Sequence, residues 1–370
     1  MLDLMLFATF TYFIMQVVLF VQTEYLNRKN YEQLSLYYGN LKRSSNLSTN
    51  AQIIQSFIPT AKILKPIGVD EYPIDLPDLG PDYLPPFQNY EQILADFGKG
   101  TNLGMCLIPK CMSTLMIGIN CFIKRTHFFG PEFLNIKITD GWKKSAFCLD
   151  DTFYHLFDRN EDAIEQGFKG KDLFVIIRDP LDRFISAYIN KCIKNDYYDR
   201  MSLPLCYDCK KNMSCVVENA YNNFKLWIND SSIVPSYTDT HFAPLSWSCN
   251  FRKYLKDYVL IKTDPSLEGK NKLTDKLGDI FREHNIPKWK FDRIKDETLE
   301  SKTNHTTSHL EERRIYISEM YSNPFIIETL KKMYYYDYLI FGFDRSVFES
   351  NPYKHFSKSN STSDGSFLST

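Results

Sequence analysis

Two stretches of this chain repeat one pattern: a short apolar run, a tight turn and then an amphipathic segment of helical length. In the first, residues 103–108 (LGMCLI) end at Pro109 and are followed by TLMIGINCFIKR. In the second, residues 173–177 (LFVII) are followed by RDP and then by LDRFISAYINKCIK. A third apolar run, residues 258–261, precedes a helix-like stretch that extends through Glu283. This alternation predicts a three-layer α/β fold with a central parallel sheet, whose ligands bind beyond the carboxyl ends of the strands.

The composition is that of a folded protein with a large core. The 370 residues are 44% hydrophobic and 15% aromatic, which excludes a mainly disordered or fibrous chain. The 44 Lys and Arg residues nearly balance the 45 Asp and Glu residues, for a net charge of -1. With no overall basic field, we expect no nucleic-acid partner, and any polyanion must bind at a local patch.

The two ends of the chain differ from its middle. Residues 4–21 contain no charged side chain and are about long enough to cross a bilayer as a helix. We predict that residues 1–23 are a short N-terminus and membrane anchor, with a cleavable signal peptide as the alternative. Residues 24–89, which become proline-rich toward their end, predict a stem, and the Ser-rich residues 351–370 predict a flexible tail. The folded domain is expected to span residues 90–350.

Cysteines and acceptor triplets indicate an oxidising, lumenal compartment. All nine cysteines fall between Cys106 and Cys249. The cluster Cys206, Cys209, Cys215 and Cys249 permits a zinc site, but no histidine completes a close-spaced ligand pair, so we predict disulfides. The odd count leaves at least one thiol free or paired between chains. Triplets of the N-x-S/T type occur at Asn46, Asn212, Asn229, Asn304 and Asn360.

The first turn carries groups that suit a phosphate. Lys110 follows the apolar run, and Ser113 and Thr114 begin the predicted helix. The first backbone N–H groups of a helix, together with a mobile cation and two hydroxyls, are typical of a phosphate site. An exposed lysine before an ordinary helix start is the alternative interpretation.

The second turn carries two arginines. Arg178 leaves the strand, and Arg183 and Ser186 follow five and eight positions later, near the first turns of the next helix. Guanidinium and hydroxyl groups that converge there can bind a phosphate dianion. A structural arginine paired with Asp179 or Asp182 is the alternative. We also expect Asp179 to cap the helix, with Pro180 in its first turn.

Together the two motifs resemble sulfotransferases that use 3'-phosphoadenosine 5'-phosphosulfate (PAPS). RDPLDRFISAY is similar to the RDPxxRxxSxY form of the Golgi membrane carbohydrate sulfotransferases, including the chondroitin and HNK-1 types. A later segment, from His241 through Pro244 to Cys249, looks like the downstream H-x-x-P-x-x-x-x-C region of that group, so the resemblance spans about residues 100–265. One departure is Met112, where the family usually carries glycine.

The resemblance implies a P-loop-like fold, PAPS as the sulfuryl donor and no metal. It further implies that Lys110 binds the bridging and 5'-phosphate oxygens and that Arg178 and Ser186 bind the 3'-phosphate. The remaining members of the implied donor site are Cys111, Met112, Ser113 and Thr114 in the first loop and Arg183 in the second.

The general base is open among several residues. Histidine suits this task near neutral pH, and the candidates are His127 and His155 between the motifs and His241 downstream. His305 and His309 lie in a polar stretch, and two carboxylates between the motifs are further alternatives, Glu132 and Asp140.

These observations predict a single-pass type II Golgi membrane enzyme that sulfates a glycan. The expected acceptor is a chondroitin-like or related N-acetylhexosamine-containing chain. Its partners are expected to be the glycan and the membrane, with a homo-oligomer also compatible with the sequence. A phosphoryl transferase is disfavoured because the chain lacks G-x-x-x-x-G-K-[ST]. A catalytically silent lumenal glycan-binding protein on the same fold is the alternative from a different class.

Overall fold

The computed structural model describes residues 76–349, apart from gaps at 89, 91, 99, 131–136, 140–153, 157–168, 195–204, 231–232, 234, 265 and 301–310. The chain divides into two units, and all described residues belong to the second, Tyr72–Thr370. The predicted anchor, most of the stem and the predicted tail lie outside the described residues. None of the helices in the described ranges is both long and apolar enough to cross a membrane.

A five-stranded sheet of order β3-β1-β2-β4-β5 forms the centre of the fold. Its strands are β1 (Gln92–Asp96), β2 (Leu103–Cys106), β3 (Tyr154–Leu156), β4 (Asp172–Arg178) and β5 (Tyr258–Thr263). Strands β2, β4 and β5 are parallel neighbours, as the repeated strand-turn-helix pattern predicts. Residues 173–178 of β4 are buried, so helices and loops cover this strand on both faces.

The sheet is mixed: the predicted parallel sheet is present at β2, β4 and β5, and β1 and β3 add an antiparallel edge that the sequence did not predict. Strand β1 is antiparallel to β2, and β3 is antiparallel to β1. Only residues 97–102 join β1 to β2, too few for the crossover that parallel neighbours need. Gly98 and Gly100 adopt positive φ in this connection, and the carboxylate of Asp96 accepts a hydrogen bond from the Gly98 N–H.

Helices follow each of the three parallel strands. The α-helices within the described residues are α1 (Ser113–Lys124), α2 (Pro180–Tyr188), α3 (Met213–Asn229), α4 (Tyr237–Phe242), α5 (Phe251–Tyr254), α6 (Leu267–Glu283), α7 (Lys288–Glu300), α8 (Glu311–Ser322) and α9 (Pro324–Phe341). A π-helix, Ile189–Ile193, continues α2. Short 3₁₀ turns are Thr126–Phe129, Leu205–Asp208, Leu245–Trp247, Leu255–Asp257 and Arg345–Phe348.

Two apolar cores hold these elements together. Helices α1, α6 and α7 pack with the sheet in the first core. Helices α2, α3, α8 and α9 form most of the second, with Tyr188, Trp247 and Tyr334 fully buried. Helix α9 is hydrophobic on most sides because it packs against several neighbours at once.

The end of the proline-rich stretch packs against the folded domain. Leu84 and Phe87 are buried, the Leu84 N–H donates to the Lys332 carbonyl of α9, and the Trp247 indole donates to the Pro85 carbonyl. Residues 76–88, which the sequence assigned to the stem, therefore contribute core contacts.

Disulfides replace the zinc alternative. Cys106 bonds to Cys249, and the remaining pairs within the described residues are Cys192–Cys206 and Cys209–Cys215. The four cysteines considered as a metal cluster are thus all oxidised, and the prediction of disulfides is confirmed. Cys121 is also disulfide-bonded, whereas Cys111 is a buried free thiol.

Candidate active site

The two turns singled out in the sequence lie side by side at the carboxyl ends of neighbouring strands. Strands β2 and β4 are adjacent and parallel, with Cys106 paired to Val175, so the turns that follow them lie at the same end of the sheet. The disulfide from Cys106 to Cys249 ties the segment after α4 to the end of β2. Three segments that are distant in sequence therefore converge beyond the strand ends.

The first loop has an unusual backbone. Lys110 and Met112 both adopt positive φ, 71° and 61°, and the Cys111 N–H donates to the Ile108 carbonyl. Met112 is the residue before α1, and its left-handed conformation is one that glycine adopts most easily. The loop thus has, with methionine, a turn that glycine adopts more easily, at the position where the resembling family usually carries glycine. The first N–H groups of α1, from Ser113 and Thr114, follow directly.

The second loop begins α2 as the sequence predicts. Asp179 caps the helix by accepting a hydrogen bond from the Asp182 N–H, and Pro180 is the first helical residue. The Tyr338 hydroxyl of α9 donates to the Asp179 carboxylate. Burial raises the pKa of Asp179 to about 6, against the opposing effect of the Tyr338 hydrogen bond.

Arg178 joins the two loops. Its Nη1 donates to the Lys110 carbonyl at 3.3 Å. Its Nε bonds to Asp182, whose other oxygen bonds to Arg313 of α8. The structural pairing with Asp182, which the sequence left as an alternative, is therefore present. Arg178 thus pairs with Asp182 and at the same time contacts the first loop.

Arg183 positions the site. It is 1% exposed; its Nε donates to the Pro109 carbonyl at 2.9 Å, and its Nη1 donates to the Ala243 carbonyl at 2.6 Å. The buried carboxylate of Asp337 accepts hydrogen bonds from the N–H groups of Leu245 and Ser246, on the same segment as Ala243. One guanidinium thus holds the first loop and the segment after α4 against α2. A direct contact between Arg183 and phosphate stays a prediction.

One face of α2 and its π-helical extension lies beside the two loops, and the region that these elements border is called the cleft below. The ammonium of Lys110 donates to Oδ1 of Asn190 at 2.9 Å. Asn190 lies one turn after the buried Ser186, so these two side chains share a face with Arg183. Lys191, the next residue, donates from its ammonium to the Tyr237 hydroxyl at 2.6 Å. Lys110, predicted from the first motif, therefore contacts the same helical segment that carries Ser186, predicted from the second.

Several cationic side chains lie close together beside the two loops. Burial, and then the nearby charges of Lys191, Arg178 and Arg183, hold the pKa of Lys110 well below its usual value. Burial lowers the pKa of Lys191 to about 8. Burial also raises the pKa of the Cys111 thiol, which keeps it neutral. A bound anion would relieve the repulsion among these cations, so the arrangement is suited to a polyanionic ligand.

His241 is the candidate base that lies with this cluster. It is 8% exposed, its ring centroid is 4.6 Å from that of Tyr237, and Nδ1 is 2.8 Å from the Tyr237 carbonyl. A carbonyl only accepts, so Nδ1 carries the hydrogen and Nε2 carries the lone pair. Burial, and then the charges of Lys191 and Lys110, hold the pKa of His241 well below its usual value. The ring is therefore neutral, and in the free protein it is a weaker base than an ordinary histidine.

Of the other candidate bases, two fall within the described residues, His127 and His155. His127 is exposed just beyond the C-terminal end of α1, which is about 18 Å long, so it lies far from Lys110. His155 pairs with Ile93, whose carbonyl accepts from the Leu107 N–H. Its backbone is level with the end of β2, but two strand spacings away, about 10 Å. Four candidates lie outside the described residues: Glu132, Asp140, His305 and His309.

Sequence reasoning missed several residues of this site. Asn190, Lys191 and Tyr237 contact or neighbour predicted members, yet none belongs to either motif. Arg313 reaches Asp182 from a helix more than one hundred residues further along the chain. The only sequence signal for Asn190 was its position one turn after Ser186 on a helix already placed at the site.

The comparisons with known proteins agree with this geometry. The family model described as "Sulfotransferase family" matches residues 97–344. Carbohydrate sulfotransferase chst-1 of Caenorhabditis elegans is 36% identical over 276 residues, which cover 73% of this chain and 81% of the relative. A second, uncharacterised protein of that nematode is 29% identical over 263 residues, 70% of this chain and 71% of the relative. No solved structure gives a significant match.

The chain belongs to the sulfotransferase family. The matched region contains β2, β4, β5, both loops and the segment from His241 to Cys249. The resemblance to carbohydrate sulfotransferases inferred from the two motifs is thereby confirmed.

Proposed function

We propose that this protein transfers a sulfuryl group from PAPS to a hydroxyl of a glycan. The observation that carries the proposal is the hydrogen bond from Arg178 to the Lys110 carbonyl, which joins the two loops into one cradle. Lys191, Arg178 and Arg183 act electrostatically on Lys110 there, and such a group of cations suits a ligand with several negative charges. A nucleotide with phosphates at both ends of its ribose fits such a cradle.

The residues present fit the donor. The start of α1 offers backbone N–H groups, the hydroxyls of Ser113 and Thr114 and the cation of Lys110 for the 5'-phosphate end. Arg178 and Ser186 are assigned to the 3'-phosphate. When bound, PAPS supplies an activated sulfuryl group on its 5'-phosphate. Within the described residues no group of three or more His, Cys, Asp or Glu side chains is placed to hold a metal ion.

His241 is assigned as the base. The Tyr237 carbonyl fixes Nδ1 as the protonated nitrogen, so Nε2 is free to accept the proton of the acceptor hydroxyl. The neighbouring cations keep the ring neutral before the reaction and favour anionic groups beside it. Positioning and fixed positive charge are expected to supply most of the rate enhancement.

A glycan acceptor is supported by the named activity of the similar C. elegans enzyme. A cavity of about 180 Å³ beside α4 is lined in part by Tyr90 and Trp227 and by the polar residues Asn223, Ser236 and Asp239. We infer a chondroitin-like or related N-acetylhexosamine-containing acceptor.

We further propose that the protein is anchored in the Golgi membrane by residues 4–21, with the folded domain in the lumen. The disulfides support an oxidising compartment. Asn212 and Asn229, two of the acceptor triplets, are exposed on or beside α3. The protein isolated from cells is expected to migrate faster on gels after glycosidase treatment removes its N-linked glycans. It is also expected to remain in the membrane when the membranes are washed with alkaline carbonate. A protein that carries no glycan and is released by carbonate would contradict this assignment.

The proposed activity is tested with the full-length protein, purified in detergent, radiolabelled PAPS and a panel of desulfated glycans. We expect label to enter a chondroitin-type chain in the wild type and to be lost in Arg178→Ala and Lys110→Ala. Binding of 3'-phosphoadenosine 5'-phosphate (PAP) without transfer to any glycan of the panel would favour the silent glycan-binding alternative.

A further inference from the structure

Lys191 occupies a special place on the helix that borders the cleft. It lies in the π-helix Ile189–Ile193, where the Lys194 N–H bonds to the Ile189 carbonyl five residues back. Such single wide turns are frequent at functional sites, because the extra residue turns the following side chains away from regular α-helical spacing. Regular spacing from Ser186 selects Asn190 and gives no reason to select Lys191.

The ammonium of Lys191 is held beside the candidate base. It donates to the Tyr237 hydroxyl and lies 4.5 Å from the centroid of that ring, while the ring of His241 packs on the same tyrosine. Lys191 is 9% exposed, but Tyr237 is 41% exposed. The pair therefore lies where the buried cluster meets the solvent.

Lys191 is also electrostatically close to both ends of the proposed reaction. Among the charged groups that act on Lys110, Lys191 has the largest effect, ahead of Arg178. Lys191 likewise has the largest effect among the charges that act on His241, ahead of Lys110. Because Coulomb energy falls with distance, Lys191 is near both the lysine assigned to the donor phosphate and the histidine assigned to the acceptor.

We propose that Lys191 is a further catalytic residue, whose ammonium contacts the oxygens of the sulfuryl group while it is transferred. This inference rests on the proposed function. The acceptor oxygen forms a bond to sulfur, and the bond from sulfur to the 5'-phosphate oxygen breaks with its electron pair remaining on that oxygen. The proton of the acceptor hydroxyl passes to Nε2 of His241. Lys191 supplies fixed positive charge and exchanges no proton.

The assignment separates Lys191 from the residues that bind the nucleotide. PAP lacks the sulfuryl group, so a residue that contacts this group affects turnover more than PAP binding. A lysine that only anchors α4 through Tyr237 would instead affect folding, and PAP binding and turnover would fall together. Three measurements distinguish these roles: kcat, the Kd for PAP and the melting temperature.

The test compares Lys191→Met, Lys191→Arg and the matched control Lys194→Met, three residues further along the chain. For Lys191→Met we expect kcat to fall about 100-fold, the usual scale for losing one group that stabilises transition-state charge. Its Kd for PAP should change less than about threefold, and its melting temperature should not fall, because a buried charge near Lys110 is removed. Lys191→Arg keeps the charge and should retain kcat within about tenfold. Lys194→Met should match the wild type.

Two results would overturn the inference alone: an active wild type with an equally active Lys191→Met, or a Kd for PAP that weakens in step with kcat. A wild type that fails to bind PAP would overturn the proposed function and this inference together.

Discussion

The cleft has two halves that are built differently. In the arginine half, Arg178 and Arg313 both bond to one carboxylate, Asp182. In the lysine half, the ammonium groups of Lys110 and Lys191 donate to neutral oxygens, those of Asn190 and Tyr237. The positive charge of the first half is thus partly offset at the contact. The amide oxygen of Asn190 and the hydroxyl of Tyr237, which accept from the two lysines, carry no negative charge.

This difference separates two tasks. A phosphate that binds Arg178 shares it with Asp182, so the arginine half favours a ligand of the right geometry over any anion. The lysine half, where burial lowers both lysine pKa values, gains most from the arrival of an anion. We infer that the lysine half supplies affinity and charge stabilisation, and that the arginine half supplies discrimination.

The largest expected effect is in the lysine half. Lys110→Ala removes the cation assigned to the bridging and 5'-phosphate oxygens, so kcat/KM for PAPS should fall about 1,000-fold. Lys124→Ala is the matched control, because Lys124 lies at the other end of α1 and pairs with Asp96. Steady-state sulfation kinetics measure both. A Lys110→Ala protein with more than a tenth of wild-type activity would contradict the role assigned to Lys110.

A smaller effect is expected in the arginine half. Asp182→Asn leaves Arg178 and Arg313 buried without their shared carboxylate, at a cost of about 3 kcal/mol in the free energy of unfolding. PAP replaces part of the lost negative charge, so it should raise the melting temperature of this variant more than that of the wild type. Asp292→Asn, in the exposed pair with Lys288, should change stability by less than about 0.5 kcal/mol. An equal PAP-induced shift in wild type and Asp182→Asn would contradict this division of tasks.

The pH dependence of sulfation separates the two halves further. Lys191 must be protonated to stabilise the sulfuryl oxygens, and its pKa in the free protein is lowered to about 8. Above about pH 8 the free protein loses this proton, so kcat/KM for PAPS should fall by up to about tenfold per pH unit. Lys191→Arg should flatten this part of the profile. Steady-state sulfation kinetics from about two pH units below that pKa to about one unit above it measure the effect. A kcat/KM that rises with pH over this range would contradict the assignment.

The smallest effect concerns Met112. Glycine at this position relieves the left-handed backbone but removes a partly buried side chain, so Met112→Gly should change stability by less than about 1 kcal/mol. Its Kd for PAP should stay within about threefold of the wild type, since the loop already has the required turn. Met112→Val, β-branched at the same φ, should be the less stable of the two variants. Thermal unfolding with and without PAP checks both, and a large gain in PAP affinity for Met112→Gly would show that methionine limits the site.

Much of this architecture was predictable from local pattern. The strands β2, β4 and β5 and the helices that follow them match apolar runs, and Asp179 and Pro180 mark the start of α2 as capping chemistry requires. The antiparallel edge was not predicted, because the partners of β1 and β3 are set by tertiary packing rather than by their own sequence.

The site was only partly predictable for a related reason. Lys110, Arg178 and Ser186 lie in contiguous motifs, whereas Arg313, Tyr237 and Asp337 reach the site from other elements of the fold. A π-helix displaces Lys191 from regular helical spacing, and the amino-acid sequence of residues 189–193 does not predict this π-helix. Arg183, assigned to phosphate from its position, turned out to hold two backbone carbonyls, because a buried guanidinium must satisfy its donors.

The most direct test compares the affinity for PAP with that for adenosine 5'-monophosphate, which lacks only the 3'-phosphate. If the two loops form one cradle that binds opposite ends of the nucleotide, the wild type should prefer PAP by about 100-fold, the scale of a charge-assisted, bidentate contact. Arg178→Ala should lose that preference, whereas Lys110→Ala should bind both nucleotides more weakly and keep it. An Arg178→Ala protein that still prefers PAP by the wild-type ratio would contradict the assignment of the two loops.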